Sequence, residues 1–349
     1  MHSATQASNA LNPGGRSLTL MRVLAAVDKF KGTATGAQVG DAIAQACWEL
    51  GHECVQLPVA DGGEGTLEAL GGANRTSLIT GPLGDVVEAA WRYHRGTAVI
   101  EMARASGLTL VGGAAGNDAI AATTTGTGEL IDQALDLGAT KIVVCLGGSA
   151  TTDGGLGCVR AITSPHRLRS VQLLVACDVQ TLFVDAAPVF APQKGATPAQ
   201  VDLLRGRLHR LAQMYQQEYG VDVRNIAGTG AAGGLAGGLV ALGGRLQAGF
   251  DLVADELDLH DHIVQSELVI TGEGFLDEQS FQGKVVGGVQ AMCMAVDRPV
   301  AAIVGDVLAE VANRIHHRSL VADHGSERAM REPLWCIEHS ARALLRELS

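Results

Sequence analysis

Aromatic side chains and positive charge are both scarce in this chain of 349 residues. Phe, Tyr and Trp make up 3% of the sequence, whereas hydrophobic residues make up 47%, so we expect a core of aliphatic side chains and alanine. The formal net charge is −11, and no block of Lys or Arg interrupts the acidic background. This balance argues against nucleic acid or an anionic membrane surface as a partner. An anionic substrate would need local cations and backbone N–H groups.

Several motifs that define common protein classes are also missing. No apolar stretch reaches the length of a transmembrane helix, and residues 1–20 lack the apolar segment of a secretory signal. The seven cysteines show no CxxC and no Cys/His metal spacing, so we expect reduced cysteines in a cytoplasmic protein. The chain has neither a G-x-x-x-x-G-K-[ST] loop nor the H-R-D and D-F-G motifs of protein kinases. Neither of the two common ATP-binding scaffolds is therefore indicated.

Glycine is abundant instead, with 45 residues that cluster after apolar runs. The stretch that organises the chain is 141–157, where an apolar run ends at Gly147, Gly148 and Ser149, and Asp153 follows among further glycines. A buried strand that opens into such a loop exposes backbone N–H groups to a ligand, and α/β sheets bind ligands beyond the carboxyl ends of their strands. A tight crossover without a ligand is the alternative. Because the loop has more glycines and hydroxyls than a turn requires, we predict a binding site.

The order of apolar strand, polar glycine loop and helix recurs along the chain and predicts parallel sheets in an α/β fold. Residues 86–93 and 97–102 instead indicate an antiparallel hairpin, which suggests that a second, smaller region begins near residue 78. Residues 1–20 contain no core-facing pattern, so we expect a dispensable, disordered extension or a segment ahead of a natural start at Met21. The polar and glycine residues that follow the other predicted strands are Asp28, Lys29, Lys31, Asp61, Gly62, Gly63, Glu64, Asp178, Glu273, Asp277 and Lys284.

Two further segments are candidates for binding an anion. Thr124 and Thr125 belong to a run of three threonines before a predicted helix, where hydroxyls and N–H groups can contact an anion; ordinary helix capping is the alternative. Gly228, Gly230 and Gly233 form a G-x-G-x-x-G, but no strong strand precedes it, which argues against a dinucleotide site. This run is more typical of a helix whose N-terminus faces a ligand, or of close packing through small residues.

The carboxylates, lysines, hydroxyls and glycine-rich loops together suit phosphoryl transfer. Phosphates require cations and N–H donors, and Mg²⁺ prefers carboxylate oxygens. One further carboxylate can accept the proton of the attacking hydroxyl. The sequence therefore favours an enzyme that handles phosphates.

Ten motifs, in order, resemble those of the bacterial type I glycerate kinases: DKFKGT, PVADGGEG, TGPLGD, IEMARASGL, ATTTGTGEL, LGGSATTDGG, ACDV, PQKGA, GTGAAGGLAGG and ITGEGFLD followed by GK. The resemblance extends over most of the chain, from residue 22 to residue 305. It implies ATP-dependent phosphorylation of D-glycerate with Mg²⁺, with 2-phosphoglycerate favoured as the product. The alternatives are a kinase that forms 3-phosphoglycerate, a kinase of another small hydroxy acid, and a glycerate- or nucleotide-binding regulator.

The resemblance also implies two α/β domains. We expect a parallel-sheet main domain formed by residues 21–77 and 285–349, and a smaller second domain of residues 78–284 inserted in it. The protein is expected to act as a monomer or homodimer on small molecules. The sequence departs from the family pattern at Phe275, where many members have Arg, and in a short segment at 160–173. These departures bear on substrate preference rather than on the type of reaction.

Residue roles follow from the chemistry and the resemblance together. Asp178 is the expected base, because a carboxylate that ends a buried strand is positioned and partly desolvated. Lys29 and Lys31 are expected to hold the substrate carboxylate or a phosphate, with solvated lysines as the alternative. Mg²⁺ is expected to take its ligands from a pool of four acids among which the sequence does not choose, Asp61, Glu64, Glu273 and Asp277, and Glu273 and Asp277 are the pair assigned to it. The expected substrate- and nucleotide-binding residues are Asp28, Asp61, Gly62, Gly63, Glu64, Thr124, Thr125, Gly147, Gly148, Ser149, Asp153, Lys194, Gly228, Gly230, Gly233 and Lys284.

Overall fold

The structure is a computed structural model that describes residues 20–348. Eleven β-strands lie in this part of the chain. They are β1 (Arg22–Val27), β2 (Glu53–Pro58), β3 (Arg75–Thr80), β4 (Val86–His94), β5 (Thr97–Glu101), β6 (Lys141–Cys145), β7 (Gln172–Ala176), β8 (Arg245–Gln247), β9 (Leu268–Leu276), β10 (Val300–Val307) and β11 (His317–Ser319).

Fourteen α-helices connect and cover these strands within the same residues. They are α1 (Gly36–Glu49), α2 (Thr66–Ala69), α3 (Ala103–Ser106), α4 (Thr125–Asp136), α5 (Leu156–Ala161), α6 (Ala186–Phe190), α7 (Pro198–Tyr219), α8 (Leu235–Ala241), α9 (Gly249–Glu256), α10 (Leu259–Val264), α11 (Val285–Ala295), α12 (Leu320–His324), α13 (Ser326–Arg331) and α14 (Pro333–Leu348). None of the helices in residues 20–348 combines the length and the apolar character of a membrane span.

The chain divides into two compact units, and their boundaries correct the predicted ones. The first unit contains the described residues up to Val59 and those from Leu257 onward, and the second is Ala60–Glu256. The inserted unit therefore holds more than half of the chain and is not the smaller one. Its start was predicted too late because β3, which pairs with β4, has no clear apolar alternation. The predicted extension at 1–20 lies, apart from Leu20, outside the described residues.

The first unit is built on a five-stranded sheet in the order β11-β10-β9-β1-β2, and every pair of strands is parallel. β1 is fully buried from Val23 to Val27, as a continuous apolar run in a parallel sheet requires. Helix α1, before β2, begins with a capping box, in which Thr35 accepts the N–H of Gln38 and the Gln38 side chain accepts the N–H of Thr35. The prediction of a parallel sheet with crossover helices is confirmed here.

β9 is longer than the sequence predicts. Residues 272–276 were expected to form a loop, but they continue the strand and pair with β10 as far as Leu276. Glycine allows this pairing, because a Cβ on Gly272 would lie 2.2 Å from the carbonyl oxygen of Ile303. Glu273 is therefore held on a strand in the middle of the sheet rather than on a mobile loop.

The second unit contains a six-stranded sheet in the order β3-β4-β5-β6-β7-β8. β3, β4 and β5 pair antiparallel, which confirms the predicted hairpin, and β5 to β8 are parallel. The carboxyl ends of these four parallel strands consequently lie at one edge of the sheet. Polar residues and glycines follow each of them, so this edge is the natural place to look for a site in this unit.

The longest helix of the second unit, α7, lies against the loop that follows β6. Thr197 and Gln200 form a capping box at its start, and Pro198 occupies its first turn. Its apolar face is buried through Leu204, Leu208 and Tyr215. The hydroxyl of Tyr215 donates a 2.9 Å hydrogen bond to the carbonyl of Gly154, which fixes this loop to the helix.

Candidate active site

In the second unit, the loop at 60–66 lies across the carboxyl ends of β6, β7 and β8. Gly62 has φ +83°, and a Cβ on it would lie 2.4 Å from the Cα of Gly249 and 3.0 Å from the Cβ of Ala176. A Cβ on Gly147 would be 3.6 Å from the Cα of Gly63. At Gly62 only glycine allows so close an approach, whereas the distance at Gly147 is an ordinary van der Waals contact. The loop therefore joins the residues after three strands into one surface.

A buried carboxylate at the end of β5 holds this loop in place. Glu101 is 4% exposed, and its Oε1 accepts hydrogen bonds from the N–H groups of Gly65 and Leu67, both at 2.9 Å. Its Oε2 accepts a 2.7 Å hydrogen bond from Nε of Arg104, which also pairs with Glu68. Sequence reasoning missed these residues, although an acid and an arginine three positions apart after an apolar strand were a usable signal.

The glycine loop after β6 keeps the open backbone that the sequence predicts. Gly148 is exposed with φ +64°, and its carbonyl accepts the N–H of Leu108 at 2.8 Å. Within the described residues, no hydrogen bond uses the N–H groups of Gly147 or Gly148. Two donors at the edge of the sheet are thus available to an anion.

In the first unit, acidic residues gather where β1 and β9 end. The parallel register pairs Val27 with Gly272, so Asp28 and Glu273 follow side by side. Burial is the main reason why the pKa of Glu273 rises to about 7, and the carboxylates of Asp28 and Asp277 raise it further. A hydrogen bond from Ser280 and the charge of Lys284 act in the opposite direction.

One oxygen of Glu273 has no hydrogen-bond partner. Its Oε1 is buried and unpaired within the described residues. A buried polar oxygen without a partner is costly unless a ligand uses it. Asp277 lies nearby, and its Oδ1 accepts the N–H of Ser280 at 3.1 Å. The carboxylates of Asp28, Glu273 and Asp277, together with Lys284, form a cluster that we call the acidic cluster.

A family model described as the glycerate kinase family matches residues 23–166 and 163–348. The chain belongs to the glycerate kinase family. Among its relatives, glycerate 2-kinase of Escherichia coli (strain K12) is 39% identical over 331 residues, covering 83% of this chain and 87% of that protein. Glycerate kinase of Haemophilus influenzae is 38% identical over 325 residues, covering 82% and 86%.

The chain is also similar to a solved structure of a protein described as a glycerate kinase. A protein of Salmonella typhimurium LT2, described provisionally as glycerate kinase 2, is 33% identical to this chain with a TM-score of 0.82. The match covers 95% of this chain and 98% of that one. The α/β fold and the resemblance to glycerate kinases that the sequence indicates are thereby confirmed.

The base predicted for a glycerate kinase, Asp178, lies at the end of β7 as expected, but its environment corrects the argument. Its side chain is exposed rather than partly desolvated. Its Oδ1 accepts a 2.7 Å hydrogen bond from the N–H of Gly249, the first residue of α9. The geometry favours a role in fixing the start of α9.

Asp153 and Thr124 also differ from the prediction that they bind a ligand. The carboxylate of Asp153 accepts four hydrogen bonds, two from the N–H and hydroxyl of Thr124 and two from the N–H groups of Gly155 and Gly157, between 2.8 and 3.1 Å. Thr124 is fully buried, and the hydroxyl of Thr125 pairs with that of Thr123 at 2.8 Å. These groups tie the start of α4 to the glycine loop, and the Thr124 side chain does not make the helix-capping bond of the alternative.

Lys194 is not placed to contact a phosphate. It is 2% exposed, and its Nζ donates a 2.5 Å hydrogen bond to the carbonyl of Thr151. Burial lowers its pKa to about 7, and nearby Asp153 offsets only part of this effect. The predicted phosphate ligand is thus an interior residue that fastens the loop after β6.

The glycine run at 228–233 is packed rather than open to a ligand. A Cβ on Gly230 would lie 2.4 Å from the carbonyl oxygen of Leu182, and one on Gly233 would lie 1.9 Å from that of Thr151. The N–H of Gly230 donates to the carbonyl of Thr181 at 2.9 Å. Of the two alternatives for Gly228, Gly230 and Gly233, the structure supports close packing.

The remaining predicted residues divide between the two units. Lys29 and Lys31 follow β1 beside the acidic cluster; Lys29 is half-buried and Lys31 is exposed. A Cβ on Gly274 would be 3.3 Å from the backbone N of Lys31, so this turn packs on β9. In the second unit, Asp61 accepts the N–H of Gly63 at 3.2 Å, and Glu64 is exposed.

Proposed function

We propose that this protein is an ATP-dependent kinase that phosphorylates D-glycerate to 2-phosphoglycerate. The observation that carries the proposal is its likeness to glycerate 2-kinase of Escherichia coli over 87% of that protein's length. The residues support the same chemistry, because Lys29, Lys31 and Lys284 supply cations and the loop after β6 supplies N–H donors. Phosphoryl transfer depends mainly on such positioning and charge neutralisation.

Mg²⁺ is proposed as the metal cofactor, with Glu273 and Asp277 as its protein ligands. In residues 20–348 no group of three or more His, Cys, Asp or Glu is arranged to hold a metal ion by itself. Mg²⁺ in kinases needs only one or two carboxylates besides the phosphates of the nucleotide. The unpaired Oε1 of Glu273 and the hard oxygens of the acidic cluster fit that requirement. When bound, Mg²⁺ supplies neutralisation of the phosphate charge.

The chain's own residues are proposed to act on the two substrates as follows. Lys29 and Lys31, one turn beyond β1, attract the carboxylate of glycerate or a phosphate of ATP. The N–H groups of Gly147 and Gly148 donate to phosphate oxygens. Phosphoryl transfer needs little help from a strong base, since its transition state is largely dissociative. Asp178 is consequently proposed to fix α9 rather than to take the hydroxyl proton.

The function is tested by incubating the purified protein with ATP, Mg²⁺ and D-glycerate. We expect ADP to form with D-glycerate and not with lactate or tartronate. The ³¹P NMR signal of the product identifies the hydroxyl, because a phosphate on a CH carbon is split into a doublet and one on a CH₂ carbon into a triplet. A triplet would support the 3-phosphoglycerate alternative. Absence of ADP, with binding of glycerate or ATP retained, would favour the regulator.

Activity is expected to require an added divalent metal and to need more of it at low pH. Only the ionised form of Glu273 can bind a metal ion, and with a pKa of about 7 this carboxyl group is largely protonated at acidic pH. The half-saturating Mg²⁺ concentration should therefore be higher at about pH 6 than at about pH 8. Chelation followed by Mg²⁺ should restore the rate. An Mg²⁺ requirement that does not change across this range would contradict the assignment of Glu273.

Two substitutions of Asp178 separate its possible roles. Asp178→Asn keeps an oxygen that can accept the N–H of Gly249, so we expect turnover to stay within about tenfold of the wild type. Asp178→Ala removes that acceptor and should lower the free energy of unfolding by about 1 kcal/mol. Turnover and urea denaturation of both variants measure this. A loss of roughly 10²- to 10⁴-fold in Asp178→Asn with unchanged stability would reinstate Asp178 as the base.

A further inference from the structure

A cavity of about 380 Å³ lies in the second unit between α7 and the loop after β6. We call it the α7 cavity. Its wall is largely apolar and includes Leu208 and Leu211 of α7. Its polar lining comes from Thr152 and Asp153 on one side and from Arg207 and Arg210 on the other. Neither Arg207 nor Arg210 belongs to the acidic cluster or to the residues proposed to bind glycerate or ATP.

Thr152 and Asp153 line this cavity, but neither offers a free polar group to it, since the hydroxyl oxygen of Thr152 is enclosed by the protein. Thr152 is 1% exposed, and its Oγ1 has no hydrogen-bond partner within the described residues. Neighbouring Asp153 differs, because its carboxylate already accepts four hydrogen bonds. These donors lessen its repulsion of an anion.

The two arginines supply positive charge next to the apolar wall. Nη1 of Arg207 donates a 3.0 Å hydrogen bond to the carbonyl of Ile120, which holds this side chain in place. Arg210 makes no hydrogen bond or ion pair with any part of the chain between residues 20 and 348. A guanidinium in this position can pair with a carboxylate through two parallel hydrogen bonds.

We propose that the α7 cavity binds a small organic carboxylate with an apolar body. The carboxylate pairs with Arg210, and the apolar body lies against Leu208 and Leu211. The volume is within the range of pockets that bind small molecules. Glycerate has no apolar body and ATP carries several phosphates, so the α7 cavity is a site additional to the proposed reaction. Its floor belongs to the same loop as Gly147 and Gly148.

We test the proposal with octanoate, which has a carboxylate on an apolar chain. Octan-1-ol is the control ligand, because it has a chain of the same length and no charge. Isothermal titration calorimetry on the full chain should detect octanoate binding and much weaker binding of octan-1-ol. Arg210→Met should weaken octanoate binding about tenfold or more, because a hydrogen-bonded ion pair is lost. Arg205→Met is the control, since Arg205 is on the same helix and does not line the cavity. It should bind octanoate as the wild type does.

A second variant tests the location independently of charge. Met214 lines the cavity and is half-buried, so Met214→Trp should narrow the cavity and weaken octanoate binding while thermal melts show a folded protein. Octanoate binding that is absent from the wild type, or equally strong in Arg210→Met, would overturn the proposal. Binding of octan-1-ol as tight as that of octanoate would overturn it as well, because it would indicate apolar adsorption without a carboxylate site.

Discussion

Replacement of Glu273 by Gln is expected to lower turnover by roughly 10²- to 10³-fold at limiting Mg²⁺. Gln has nearly the same volume as Glu, so the substitution removes the charge and leaves the packing in β9 intact. Glu273 is the member of the acidic cluster with a buried, unpaired oxygen, and the nearby carboxylates of Asp28 and Asp277 contribute to its raised pKa. Its loss removes one of the two carboxylates that we propose as Mg²⁺ ligands.

The stability of Glu273→Gln should change in the opposite direction from its activity. The raised pKa of Glu273 shows that the folded state disfavours its charge, and this costs stability as the pH rises from the unfolded pKa toward about 7. A neutral Gln is free of that cost, so the variant should unfold at the same or a higher temperature at neutral pH. A lower melting temperature would indicate that Glu273 is needed for folding instead.

Glu278→Gln is the matched control for this experiment. Glu278 is an exposed acid five positions further along the chain, where it pairs with Arg314. An exposed ion pair contributes little to the stability of the folded protein. Because Glu278 is also outside the acidic cluster, the turnover of Glu278→Gln should stay close to that of the wild type. Recovery of Glu273→Gln by excess Mg²⁺ would identify Glu273 as a metal ligand. A rate close to normal at every Mg²⁺ concentration would exclude Glu273 from the site.

Replacement of Lys194 by Met is expected to remove a large part of the pH dependence of stability. In the unfolded chain Lys194 keeps its proton up to its ordinary pKa of 10.5, whereas in the folded protein burial lowers the pKa to about 7. Between these values the unfolded state binds more protons, so a rise in pH stabilises the folded wild type. The gain is limited to about 1.4 kcal/mol per pH unit.

The measurement compares urea denaturation at about pH 7 and about pH 9, where the wild type should gain roughly 2 to 3 kcal/mol from Lys194. Lys194→Met should lack this gain. The loss of the hydrogen bond to Thr151 lowers the free energy of unfolding by the same amount at both pH values, so it does not affect the comparison. Lys31→Met is the control, because Lys31 is exposed and should leave the pH dependence unchanged. If Lys194→Met follows the wild-type curve, Lys194 titrates as an ordinary lysine and is not buried in solution.

Much of the secondary structure could be predicted because its signals are local. Apolar runs marked β1, β6 and β7, and the capping boxes at Thr35 and Thr197 marked the starts of α1 and α7. Short strands such as β8 and β11 were missed, because three residues carry too little pattern. The unit boundaries were misplaced for a related reason. They depend on which strands pair, and pairing partners are far apart in the sequence.

The sequence alone determined the family and the kind of chemistry, since ten ordered motifs and a set of acids, lysines and glycines are readable without coordinates. Only the tertiary structure decided which of those groups are available. Asp178 meets an N–H that is 71 residues away, Asp153 is satisfied by Thr124 at a separation of 29, and Lys194 is buried against Thr151. Burial and hydrogen-bond partners determine whether a side chain is charged and whether it is accessible to a ligand. Both arise from long-range packing, which a local pattern does not specify.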